Sequence, residues 1–265
     1  MADTAAEHYD AKAQATSSAA ARTRLQKFHN EAKRQLLTTF AFKVPRLLDL
    51  ACGRGGDVHK WRAMCIDVVK GLDVSVGSIK EARTRAAGQT RWDFEHVDLK
   101  QGLWTDGHVY DAVSCFFALH YFFETEDTAK MLMETVATSL KPGGYFFGIV
   151  ASGRSVLECF KHADTYDNGC VCMRTMWEGP PQCFGSAYTC SVKDTVTESS
   201  VVPEYLVFYN VLDTLAGAHG LVRVPLNEKA FEKDCAGFHA MCPPYGGAEA
   251  ECTRLYGAFA FQKNM

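Results

Sequence analysis

The segment RLLDLACGRGGDVHKW, residues 46–61, constrains the fold of this chain more than any other. A short apolar run bounded by Pro45 and Gly53 passes through a glycine turn into a stretch that reads as the start of a helix. Strand, tight turn and helix make the unit from which open parallel sheets are wound, and such sheets bind ligands in the crevice beyond the carboxyl ends of their strands. The glycines at 53, 55 and 56 let the backbone approach a ligand more closely than any Cβ would permit. The same alternation continues downstream. VVKGLDVS at 68–75 reads as a second strand and is followed by a helix from Ser78 to Ala87. Asp93–Val97 is a third strand and YDAVSCFFAL at 110–119 a fourth. A helix over 126–140 has Thr125 as its cap, with Glu126 and Asp127 favourably placed in the first turn. KPGG then turns into YFFGIV, the fifth strand. Five strands alternating with helices predict an α/β chain on a doubly wound, mostly parallel sheet.

The flanks refine this expectation. Leu25, Phe28, Ala32, Leu36 and Leu37 recur at helical spacing, so an amphipathic helix should end near Phe40, ahead of Pro45. Residues 1–20 are rich in Ala, Ser and Thr, carry little that is large and apolar, and are expected to be flexible. Residues 21–265 then form a single domain. Within it, 151–203 breaks the βα rhythm: CVCMR and AYTCSVKD alternate in the manner of short antiparallel strands, so this stretch reads as a small β-rich insert over the carboxyl edge of the sheet. EYLVFYNVLDTLAGAHG reads as a helix stopped by Gly220, followed by LVRV as a strand and LYGAFAFQK at 255–263 as the last strand.

Composition excludes some functions. No run approaches the ~20 apolar residues of a membrane-spanning helix, and no secretory apolar core stands near the first residue, so an intracellular protein without a membrane partner is expected. The 11 cysteines then read as reduced, packed thiols. Cys170, Cys172, Cys183 and Cys190 raise the question of zinc, but their spacing fits no familiar knuckle and no metal is expected. A net charge of −3 does not mark a general nucleic-acid binder. Between Ala11 and Arg46, however, Lys12, Arg22, Arg24, Lys27, Lys33, Arg34, Lys43 and Arg46 face Glu31 alone among acids, a surface an anion could meet, or simply a solvated helix face.

The acids around the glycine turn point to its ligand. Dinucleotide folds space their glycines so that phosphates rest on a helix N-terminus. Here the pattern is G-x-G-G, with Asp49 before it and Asp57 directly after it. Carboxylates are poor neighbours for phosphate and good ones for a cation. S-adenosylmethionine carries a sulfonium and an ammonium and no phosphate. Asp73, at the end of the second strand, is placed to accept hydrogen bonds from ribose hydroxyls, and Asp98, after the third, to meet the adenine amino edge.

A closer resemblance rests on longer motifs. LDLACGRGGDVHKW, GLDVSVGSIKEARTR, FALHYFFETEDTAKMLMETVATSLKPGGYFFG, PEYLVF and LYGAFAFQK stand in this order, preceded by FHNEAKRQLL, which is similar to a family helix of the FNNWIK type. Together they resemble the messenger RNA cap guanine-N7 methyltransferases, a family of class I (Rossmann-like) S-adenosylmethionine-dependent enzymes. The resemblance runs from about Tyr9 to Lys263. It implies a doubly wound sheet with an antiparallel last strand. It also implies a reaction in which alignment, rather than a general base, carries methyl transfer to N7 of the terminal guanine of GpppN-RNA.

The same resemblance distributes roles. Lys33, Asp49, Gly53, Gly55, Asp73, Asp98, Phe116 and Tyr121 would hold the donor; His29, Arg54, Arg85, His120, Glu204 and Tyr256 would hold the cap. Glu204 matches the acid that accepts from guanine N1 and N2, His120 the donor beside O6, Tyr256 a wall of the pocket, and Arg54 and Arg85 the partners of the triphosphate. His29, Phe116 and Glu31 depart from the family's usual asparagine, glutamine and aromatic. The implied partners are a capped RNA 5′ end and, for docking, a capping guanylyltransferase or RNA polymerase; the chain shows no KxDG element for guanylyl transfer itself. The nucleus is the implied place of work, with the cytoplasm as the alternative. Two other readings stay open: a class I methyltransferase for a small metabolite, and a donor-binding protein without turnover.

Overall fold

The computed structural model of the protein describes residues 24–192, 202–226 and 247–265. The stretch expected to be flexible, 1–20, and residues 193–201 of the insert lie outside them.

Helix α1 (Arg24–Phe40) forms where the spacing predicted it, burying Leu25, Phe28, Ala32, Leu36, Leu37 and Phe40 along one stripe. It lies across β5 (Leu140–Ala151). Between them in the chain come β1 (Arg46–Leu50), α2 (Val58–Ala63), β2 (Val68–Asp73), α3 (Val76–Arg85), β3 (Trp92–His96), β4 (Tyr110–Phe116), a 3-10 turn (Leu119–Glu124) and α4 (Glu126–Ser139). Thr125 caps α4 as expected: its hydroxyl accepts from the Thr128 amide, and Thr128 returns a contact to the amide of Thr125. Beyond β5 lie α5 (Gly153–Cys159), β6 (Thr165–Asp167), β7 (Val171–Thr175), β8 (Ala187–Val192), β9 (Glu204–Tyr205), α6 (Tyr209–Ala218), β10 (Leu221–Arg223), α7 (Ala248–Thr253) and β11 (Tyr256–Lys263).

The main sheet has the order β10-β11-β5-β4-β1-β2-β3. β1 through β5 pair in parallel, whereas β11 runs antiparallel to both β5 and β10. Apolar side chains point to both faces. Leu47 joins one core layer with Trp61, Phe94 and α1, while Leu48 and Leu50 join the other with Phe123, Leu132 and Leu212. The chain leaves β1 toward β2 on one side and reaches β4 on the other, so the order reverses between β1 and β4, and a ligand crevice opens at their carboxyl ends.

The insert forms a second sheet, β6-β7-β8-β9, all antiparallel. It meets the first beside that crevice: Gly185 N donates to Phe123 O at 3.0 Å and Gly153 N to Val207 O at 2.7 Å. The turn between β6 and β7 is tied to α7 by Asn168 Nδ2, which donates to Ala248 O and Glu251 Oε2, and by the Tyr166 hydroxyl, which donates to Glu251.

Three local readings change. KPGG belongs to β5 rather than preceding it, and the pairing with β4 shifts register there, with Gly143 at φ 75°. The helix read from Glu204 begins only at Tyr209, because EY pairs with β8 instead. α5, with Ser152 as its cap, was not anticipated.

Candidate active site

Two central strands end in strained residues at the same level. Ala51, after β1, has φ 58°, and Phe117, after β4, has the same value. Neither is glycine, and a side chain in this region costs about 1–3 kcal/mol, a cost sustained only where the surroundings enforce it. Here they do: Phe117 N donates to Ile149 O at 2.8 Å, and Cys52 N, next to Ala51, donates to Leu72 O at 2.8 Å. The glycines between Cys52 and Asp57 then have distinct tasks. Gly55, at φ 69°, packs so closely on α3 that a Cβ would lie 3.0 Å from Ala82 Cα, whereas a Cβ on Gly53, at φ 53°, would meet nothing within 4 Å. Gly53 thus borders open space, a cradle that a side chain would begin to fill.

Three carboxylates surround the turn, as the sequence required, but with different tasks. Asp73 holds the loop: Oδ2 accepts from Gly53 N at 2.7 Å and Oδ1 from Ser75 N at 2.9 Å. Both oxygens thereby fix the carboxylate at the mouth of the loop. Asp57, read as an acid for the ligand's cation, has protein cations instead: Lys33 Nζ at 2.7 Å and Lys60 Nζ at 2.6 Å. Its carboxyl is buried, and although desolvation opposes ionisation, the two ammoniums hold its pKa below the usual carboxylate range. Asp49 is buried too and accepts a hydrogen bond from Ser114. Desolvation, reinforced by the charge of Asp57, pushes its pKa up to about 7. Lys33 and Lys60 both pair with Asp57, and a cation bound beside Asp49 would draw its carboxyl back to the ionised form. Burial and the neighbouring Asp49 and Asp73 raise the Cys52 thiol well above its ordinary value, so it packs as a neutral group.

Of the other expected donor residues, Lys33 and Phe116 come together beside the loop. Lys33 reaches the loop from α1, its ammonium 5.0 Å from the ring centre of Phe116 and 5.5 Å from that of Phe117. The backbone before Asp98 is joined to Asp73, Val97 N donating to Asp73 O at 2.9 Å; Asp98 itself accepts from Lys100 N and Gln101 Nε2. The ring of Tyr121 stands edge-on to His120 at 4.2 Å.

A second group of side chains lies alongside. His29 from α1, Phe117 from the end of β4 and Tyr256 from the start of β11 form a triangle of rings, with centroid separations of 4.7, 5.1 and 5.2 Å. Burial, aided by Lys33, lowers the pKa of His29 to about 3. His120 is buried in the 3-10 turn, and neither ring nitrogen has a hydrogen-bond partner among the described residues. Desolvation lowers its pKa, with Glu204 acting in the opposite sense. Glu204 Oε1 stands 3.8 Å from His120 Nε2, too far for a hydrogen bond, and Oε2 accepts from the Tyr188 hydroxyl at 2.9 Å. Arg54 and Arg85 converge on one acid, Glu81.

Tyr188 is a residue that sequence reasoning missed. Alternation in AYTCSV does mark Tyr188, Cys190 and Val192 as the buried face of β8, but no local signal reveals the bond to Glu204. Of the insert thiols, Cys172 is exposed and Cys190 buried, and among the described residues no group of His, Cys, Asp and Glu is placed to hold a metal ion.

Comparison with solved structures defines the class. The CcbJ methyltransferase from Streptomyces caelestis superposes with a TM-score of 0.63 at 13% identity, covering 99% of this chain and 98% of that one. The N-methyltransferase NodS from Bradyrhizobium japonicum, in complex with S-adenosyl-L-homocysteine, gives 0.60 at 13% identity over 99% and 100%. The fold is that of the class I S-adenosylmethionine-dependent methyltransferases. The sequence profile of the mRNA (guanine-N(7))-methyltransferase domain matches residues 1–235, and the chain belongs to that family. The mRNA cap guanine-N(7) methyltransferase of Cryptococcus neoformans var. neoformans serotype D is 30% identical over 90% of this chain, and that of Saccharomyces cerevisiae 29% over 91%. The matched region spans 44% and 64% of those two proteins' own lengths.

Proposed function

We propose that this chain transfers a methyl group from S-adenosylmethionine to N7 of the terminal guanine of GpppN-RNA. The observation that carries the reading is the pairing of buried His120, its ring nitrogens unpartnered among the described residues, with the Glu204 carboxylate 3.8 Å away. A neutral imidazole offers one N–H, and a carboxylate offers only acceptors. Side by side they complement the guanine edge, where the O6 acceptor adjoins the N1–H and N2–H donors. Adenine would set its bare N1 against the carboxylate, and sites that bury such groups reject a base unable to pair with them. The small-metabolite reading leaves both groups unexplained.

The crevice at Gly53 suits the methyl donor on the same terms: backbone open to a ligand, the Asp73 carboxylate as the acceptor for hydroxyls, and the Asp49 carboxyl as the group that would ionise beside a cation. Bound there, the donor supplies an electrophilic methyl carbon. Guanine N7 bears an in-plane lone pair and needs no deprotonation, so the residues of the chain need only orient the base. Glu204 and His120 fix its edge, the rings of Phe117, Tyr256 and His29 wall it, and Tyr121, edge-on to His120, is assigned to the donor. Arg54 and Arg85 suit the triphosphate, which would take them from Glu81. The decisive assay is methyl transfer to GpppA with the product mapped to N7; donor binding without guanine methylation would refute the proposal.

Two outcomes follow for the donor. Asp73→Ala removes the acceptor for Gly53 N and Ser75 N as well as the ribose partner, and should weaken S-adenosylhomocysteine binding at least about tenfold by calorimetry. Asp49, with its pKa raised to about 7, favours the folded state most below the ordinary carboxylate value, and that contribution is lost as pH rises through 7. A cation bound beside it lowers the pKa again. At about pH 6, where an α-ammonium is already protonated, S-adenosylmethionine should therefore release close to one proton on binding. Calorimetry in buffers of different ionisation enthalpy measures that release, and Asp49→Asn should abolish it; equal release from both proteins would contradict the assignment.

A further inference from the structure

The guanine-binding carboxylate stands on a precarious support. Glu204 belongs to β9, two residues long, at the end of the small sheet. Its backbone is held by two opposed pairs, Ala187 with Tyr205 and Tyr188 with Glu204, and by Leu206 N donating to Ser186 O at 3.1 Å. None of these bonds sets the plane of the carboxylate, which three side-chain torsions leave free to turn.

Tyr188 can set it. Its ring is only 1% exposed and belongs to the buried face of β8, so its hydroxyl has a fixed position. That hydroxyl donates to Glu204 Oε2 at 2.9 Å. Burial, with Glu204 beside it, pushes the phenol well above its ordinary pKa, so it stays protonated and stays a donor. Tyr256, in the ring triangle, lies close enough to interact electrostatically with the same phenol.

We infer that Tyr188 is a positioning residue for guanine recognition: by holding Oε2 from behind, it turns Oε1 and the remaining lone pair of Oε2 toward the N1–H and N2–H of the base. This rests on the function proposed above, and deepens it by locating part of the guanine specificity in the insert, one sheet away from the donor loop.

The test is Tyr188→Phe, which deletes one oxygen and keeps the ring. Binding of GpppA to the protein saturated with S-adenosylhomocysteine should weaken about tenfold, as for loss of a hydrogen bond to a charged group, while S-adenosylhomocysteine affinity stays unchanged. The loss should appear in KM rather than in kcat. Preference for GpppA over IpppA, whose base lacks the N2 amino group, should fall toward unity. Loosened packing would instead weaken both dinucleotides alike and disturb the donor as well. On a Glu204→Ala background the same change should cost nothing further in cap binding. Additive losses, or a Tyr188→Phe protein with unaltered GpppA affinity and unaltered preference, would overturn the inference. A parent protein that binds no GpppA would refute the functional reading and this inference with it; a parent that binds it, with Tyr188→Phe indistinguishable, would refute the role of Tyr188 alone.

Discussion

Replacing Glu204 by alanine is expected to lower kcat/KM for GpppA methylation at least about a hundredfold, with S-adenosylmethionine affinity unchanged. The carboxylate would accept two charge-assisted hydrogen bonds from guanine, each worth about 1.5–3 kcal/mol in a buried setting, and a loss of roughly 3 kcal/mol corresponds to a factor above a hundred. The donor crevice does not depend on it: Asp49, Gly53 and Asp73 belong to β1, the loop after it and β2. The alanine also strands the Tyr188 hydroxyl in the core of the small sheet, so stability should fall by about 1–3 kcal/mol. Glu204→Gln separates the two effects. Its amide oxygen can still accept from Tyr188, which preserves stability, but the amide presents a donor to a guanine edge that itself donates. Steady-state kinetics with GpppA and thermal unfolding, run on both variants, check this. Full turnover in Glu204→Ala would show that the pocket is misassigned.

The largest expected effect on folding is at Gly148, in the middle of β5. A Cβ there would lie 1.8 Å from the carbonyl oxygen of Cys115 and 2.7 Å from Phe259 Cζ, so β4 and β5 cannot keep their spacing around it. Both neighbours are buried strand residues in direct register with Gly148, and neither can move without displacing the sheet. Gly148→Ala should cost at least about 3 kcal/mol and lower Tm by roughly 6 °C or more. Gly217→Ala is the matched control: it lies inside α6 with nothing within 4 Å of its Cβ, and should be neutral or stabilise by up to about 1 kcal/mol. Equal melting temperatures for the two variants would contradict the packing described at β4 and β5.

What could be read from the sequence, and what could not, divides along a physical line. Features fixed by neighbours in the chain were legible: the α1 stripe, the Thr125 cap, the five strands and the glycine turn with Asp49 and Asp73 about it. Features fixed by distant partners were not. EYLVF has an apolar pattern that suits a helix, and only pairing with β8 draws Glu204 and Tyr205 into a strand. Asp57 reads as an open acid until Lys33 arrives from α1. The Arg54 and Arg85 pairing through Glu81 spans a loop and a helix, and the left-handed Phe117 follows from a hydrogen bond to Ile149 on the adjacent strand. His29, Phe117 and Tyr256 come together from the first helix, a central strand and the last strand, which no local pattern could bring into one wall.

The central claim is that the chain holds guanine by its edge with N7 directed at the donor. A crystal structure of the protein with S-adenosylhomocysteine and GpppA tests it most directly. The account predicts guanine N1 and N2 within hydrogen-bonding distance of Glu204, O6 beside His120, and N7 facing the sulfur across the gap that a methyl group would fill. A base bound elsewhere, or bound here with N7 turned away from the sulfur, would contradict it.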